Sequence, residues 1–93
     1  MNKNKLKQAR NKVDQLDQEI FNLIKKRTKV VKYMMNLKQF KNQIVDHKRI
    51  NKILKNIKKR SNQHGIDPQI TTRIWKSMIW GYVDFQRRNF KKK

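Results

Sequence analysis

Cysteine is absent from this 93-residue chain, which excludes disulfides and thiolate metal centres. Two glycines and one proline leave little material for turns, so few, long elements are expected, and helices suit that best. No apolar run approaches the roughly 20 residues that cross a bilayer. The basic N-terminus has no apolar stretch behind it, so it does not read as a signal peptide. The expectation is a cytoplasmic protein with no membrane partner, forming a single domain over residues 1–93. Its core should cover about residues 6–90, between polar, basic ends (1–5 and 91–93) that are expected to fray.

Acidic residues are also scarce, with six Asp and Glu against 26 Lys and Arg and a net charge of +20. Such a charge suits a basic module that binds nucleic acid or an anionic membrane. It also suits compositional drift, since Lys, Asn and Ile are abundant together, as in proteins of A+T-rich genomes. The cations that discriminate are those on apolar faces, where drift should not put them.

Apolar residues recur at helical spacing in three stretches. The first runs from about Leu6 to Phe40 with the stripe Val13, Leu16, Ile20, Leu23, Ile24, Val30, Val31, Met34, Leu37. At ~1.5 Å per residue it spans on the order of 50 Å. That exceeds what a monomer with a radius of gyration of ~12–13 Å can cover, so the helix needs a partner from outside its own chain. Lys41–Val45 interrupts the pattern. Asp46 is placed to cap a second helix, from about His47 to Asn62, with the stripe Ile50, Ile53, Leu54, Ile57. Gly65 suits its stop. Asp67 and Pro68 suit the cap and first turn of a third helix reaching about Asn89, with the stripe Ile70, Ile74, Trp75, Met78, Ile79, Tyr82, Val83.

Several polar residues share these stripes. Arg27 lies between Leu23 and Val30. Lys38 follows 11 residues later, roughly 20° away in helical phase, so the two would share a face. Arg10, 17 residues before Arg27, is about 100° off that face and would reach such a pocket only from a partner chain. Arg49 opens the face carrying Ile53 and Leu54, and Gln86 follows Ile79 and Tyr82. Each cation alone suits snorkelling, with its stem buried and its head in water. Together, with Asp46 and Asp67 already used as caps, they have too few internal anions and point to a bound anion, which arginine grips through both carboxylate oxygens. Other chemistry lacks its constellation. His47 and His64 have no metal-ligand partners at suitable spacing and read as solvent-facing or capping residues. Ser61 and Ser77 have no base, and no glycine-rich phosphate loop is present. Trp75, Trp80 and Tyr82 at helical spacing read as core or interface.

The run from Arg10 through Val13, Leu16, Asp17, Ile20 and Leu23 to Arg27 resembles the first helix of the all-helical (type II) chorismate mutases. Lys38 fits the family's lysine, Asp46 and Arg49 its second-helix start, His64-Gly65-Ile66-Asp67-Pro68 its second turn, and Gln86 its last-helix glutamine. The resemblance covers about residues 6–90. It implies an all-α fold of three helices per chain, intertwined as a homodimeric bundle. It also implies an enzyme that needs no metal or other cofactor and no specific nucleic acid. Arg27, Arg49 and Arg10 of the partner subunit would bind the two carboxylates of a small substrate, while Lys38 and Gln86 would meet its ether oxygen. Rearranging chorismate to prephenate needs no nucleophile or proton transfer. It needs a folded dianion with positive charge where the breaking C–O bond becomes electron-rich.

Two departures stand out. The family usually has glutamate directly after the second-helix arginine, to hold the ring hydroxyl, and here that residue is Ile50. Many mutases have serine where this chain has Tyr82. Both features, with a loop before Asp46 that is one residue short, resemble the isochorismate pyruvate-lyase branch, which releases salicylate and pyruvate on the same scaffold. Mutase is the first expectation and lyase the alternative. A basic nucleic-acid-binding module is the remote one, since it should carry its cations on outer faces.

Overall fold

The computed structural model describes residues 2–91. They form three α-helices, α1 (Lys3–Leu37), α2 (His47–Gln63) and α3 (Pro68–Asn89), with one 3₁₀ turn (Lys41–Gln43) between α1 and α2. There is no strand among the described residues, and the all-α, three-helix expectation holds. The chain divides into two compact units, Met1–Lys32 and Tyr33–Lys93.

The first unit is helix α1 up to Lys32. It starts three residues earlier than its apolar stripe suggests, because the Asn2 side chain accepts the Lys5 backbone N–H at 3.0 Å and so satisfies an otherwise orphaned donor. Residues 3–5 are therefore helical rather than frayed. Met1, Lys92 and Lys93 lie outside the described residues. The helix continues unbroken through Arg27, and none of its residues is buried. Val13, Leu16, Ile20, Leu23 and Val30 are each more than half exposed.

The second unit holds the core, where α2 packs on α3. Ile44, Ile50, Ile57, Ile79 and Val83 are its buried apolar residues. Ile50 and Ile57 recur at seven, as do Ile79 and Gln86, so each helix turns one stripe inward. Ser61, for which the sequence offers no chemical partner, is buried and structural. Its hydroxyl donates to the Ile57 carbonyl at 2.7 Å and lies 2.6 Å from the Thr71 hydroxyl, tying α2 to α3. Ile44 was not expected in the core, since it sits in the segment that breaks the helical pattern.

The connections follow capping chemistry. Asp46 caps α2 by accepting the Arg49 N–H at 3.0 Å, and Asp67 caps α3 by accepting the Gln69 N–H at 2.9 Å, with Pro68 at the first turn. His64 is the C-cap of α2. Gly65 follows at φ 68°, a left-handed conformation that only glycine adopts at little cost. It lets the Ile66 N–H turn back to the Ser61 carbonyl at 2.9 Å, closing the helix as a Schellman motif. One boundary departs from expectation, since α1 ends at Leu37 rather than Phe40. The Gln43 side-chain oxygen accepts the backbone N–H groups of Gln39 and Phe40 at 2.8 and 2.9 Å. Those donors are thereby taken from any further helical turn.

Candidate active site

Lys38 is the first residue beyond α1, so the helical phase that aligned it with Arg27 does not set its direction. Gln86 does. The Lys38 ammonium donates to Gln86 Oε1 at 2.9 Å, and Gln86 Nε2 donates to the Tyr82 carbonyl at 3.3 Å, one turn back on α3. Gln86 is only 6% exposed and Lys38 is half-buried. Burial therefore lowers the Lys38 pKa from its ordinary 10.5, and the nearby charge of Asp46 pulls partly the other way. An ammonium has three donors. With one bonded to Gln86, two remain for a ligand atom.

Of the other residues singled out from sequence, Asp46 and Tyr82 lie at this pair. Asp46 holds the start of α2 through the Arg49 backbone, which leaves the Arg49 side chain exposed. That guanidinium is not buried within the chain, contrary to its place on an apolar stripe, because the first turn of α2 turns Ile50 inward instead. Ile50 is 8% exposed and Tyr82 is half-buried. Arg49 lines a groove of about 480 Å³ along α2 with Lys52, Ile53, Lys55, Asn56 and Lys59. Lys52 was overlooked in the sequence, although it lies one turn beyond Arg49.

In the first unit Arg27 is half-buried and Arg10 is exposed. Their 17-residue separation puts them roughly 25 Å apart along α1, so one chain cannot bring both to a single small ligand. Of the two histidines, His64 caps and His47 is exposed, its ring 6.4 Å from that of Trp80 in a tilted contact. Trp80 is 38% exposed and Trp75 half-buried. Among the described residues there is no cluster of three or more metal-ligating side chains, and no helix is long and apolar enough to cross a membrane.

The family model for chorismate mutase type II matches residues 9–87, a span that runs from α1 to Arg87 and includes the Lys38–Gln86 pair. The chain belongs to the type II chorismate mutase family. It is accordingly an isomerase of the chorismate mutase type, acting on a small molecule. No curated protein and no solved structure matches it.

Proposed function

We propose that this chorismate mutase converts chorismate to prephenate for aromatic amino acid biosynthesis, working as a cytoplasmic homodimer over the single domain 1–93. The observation that carries the reading is the half-buried Lys38 ammonium held 2.9 Å from buried Gln86. In the rearrangement the ether C–O bond breaks as the new C–C bond forms, and negative charge gathers on the ether oxygen. A fixed ammonium with two spare donors in a poorly hydrated place stabilises that charge more than it stabilises the ground state. Gln86 aims the ammonium, and its amide is a second donor once a ligand competes with the Tyr82 carbonyl. Arg27, Arg49 and Arg10 of the partner subunit bind the carboxylates and hold the folded conformer. Incubating the protein with chorismate and with isochorismate, each alone, tests the reading. Prephenate from chorismate is the expected product, and no turnover of either compound would reject it.

The homodimer is supported by α1. Its exposed stripe of Val13, Leu16, Ile20, Leu23 and Val30 is a long apolar surface of the kind that marks an interaction face. Burying each such side chain stabilises by roughly 1.5–3 kcal/mol. Sedimentation at micromolar concentration should therefore give a dimer, and a folded monomer there would reject it. Inactive Arg10→Ala and Lys38→Ala chains, refolded together, should regain activity in mixed dimers, because one of the two sites would then be intact. No recovery in verified mixed dimers would rule out a shared site.

Ile50 favours a second reading, isochorismate pyruvate-lyase. The two substrates carry the same carboxylates and differ in where the ring hydroxyl sits, so the arginines do not discriminate between them. Ile50 cannot accept a hydrogen bond, and a hydroxyl left unpaired costs roughly 1–3 kcal/mol, about tenfold to hundredfold in rate. Chorismate turnover should be correspondingly modest. Ile50→Glu should raise mutase efficiency and depress any lyase activity, with Ile50→Gln as the variant that adds an acceptor without burying a charge. An unchanged ratio of the two activities in both folded variants would remove Ile50 from the hydroxyl.

A further inference from the structure

Helix α2 carries seven cations, Lys48, Arg49, Lys52, Lys55, Lys58, Lys59 and Arg60, and no acidic residue. They are not evenly placed. Arg49, Lys52, Asn56 and Lys59 stand at i, i+3, i+7 and i+10, a single row along the helix that rises about 15 Å. This row is one wall of the groove that Arg49 shares with Ile53 and Lys55. The side chains of Lys52, Lys55 and Lys59 make no hydrogen bond or ion pair with the described residues.

Resting on the mutase reading, we propose that Lys52 and Lys59 form an approach track that captures the dicarboxylate substrate from solvent and passes it along α2 to Arg49. A groove lined by charge of one sign focuses the field and raises the local concentration of an oppositely charged ligand. A row of lysines with no anionic partner interacts with a dianion at several points and holds it at none of them. Lysine suits this task as a flexible, strongly hydrated point charge, whereas arginine fixes geometry. The terminus of the track is the arginine whose backbone N–H is tied to Asp46, the same aspartate whose charge acts on Lys38. Capture thus ends at the arginine proposed to bind a substrate carboxylate.

The test compares two double substitutions with equal change in net charge. Lys52→Gln with Lys59→Gln removes the track. Arg73→Gln with Lys76→Gln removes two cations from a separate groove, which they line with Lys58, Pro68, Gln69 and Thr72. Glutamine is close to lysine and arginine in helix propensity, and circular dichroism checks that both variants remain folded. At about 25 mM salt the track variant should lose on the order of 3–10-fold in kcat/KM, carried by KM rather than kcat, and the loss should shrink below about twofold at about 0.3 M salt, where the Debye length is only a few ångströms. The control should lose less than half as much on a logarithmic scale. Equal losses in the two variants would show that the whole +20 charge acts and the track does not, and no loss in the track variant would equally overturn the proposal. If the wild-type protein turns over neither chorismate nor isochorismate, the mutase reading fails separately. The track then stands or falls on calorimetric titration with chorismate at the two salt concentrations, where the track variant should bind more weakly than the control at low salt.

Discussion

Replacing Lys38 by alanine should lower kcat/KM for chorismate by about 10²–10³-fold, the usual loss when one fixed donor to a developing oxyanion is removed. The loss should fall mainly on kcat, because the ether oxygen carries little charge until the bond begins to break. Gln86→Leu should follow in the same direction by a smaller factor, since it removes the acceptor that orients the ammonium at 2.9 Å and leaves the ammonium itself. The pH profile gives an independent readout. Desolvation holds the Lys38 pKa below 10.5, with Asp46 opposing. Activity needs the protonated form, so it should decline with rising pH through a midpoint below 10.5. Stability should move the other way. Between the lowered folded pKa and the unfolded value near 10.5, the unfolded chain holds more protons, and unfolding free energy rises with pH. Lys38→Met should lack that increment in thermal melts across the alkaline window. A folded Lys38→Ala protein with wild-type turnover would remove Lys38 from the chemistry.

Arg27→Ala should cost about 2–5 kcal/mol of transition-state binding through loss of a charge-assisted, two-point contact to a carboxylate. In kcat/KM that is roughly 30-fold to several thousandfold. Arg27 is half-buried within α1, so some loss of packing accompanies the loss of charge. Arg27→Lys separates the two effects. It keeps the charge and most of the stem and loses only the planar fork, so its activity should fall between wild type and Arg27→Ala. Chorismate binding by calorimetry should weaken in the same order. Wild-type turnover by a folded Arg27→Ala protein would reject the role.

The helices were legible in the sequence because their signals are local. Stripes at spacings of three and four need only the 3.6-residue period, and Asp46, Asp67, Pro68 and Gly65 punctuate the chain through bonds that span at most five positions. The exposed stripe of α1 was legible in the same way, as more apolar face than one small chain can cover. The site was legible only in part. Gln86 could be placed on the inner face of α3 because it continues the spacing of Ile79 and Tyr82. The direction of Lys38 could not, because helical phase is lost once α1 stops at Leu37.

What stops α1 there is the side chain of Gln43, six residues beyond the end of the helix, and no apolar period reports such a bond. Ile44 enters the core from the same irregular segment, where neither a two- nor a 3.6-residue repeat exists to mark it. The Lys38–Gln86 contact joins positions 48 residues apart, and Gln86 belongs to the helix that packs on α2. Residue chemistry and local periodicity thus specified the elements and their caps, and pointed to the cations of the candidate site. Which cation meets which acceptor followed from tertiary packing, because contacts distant in sequence exist only once the intervening chain has folded.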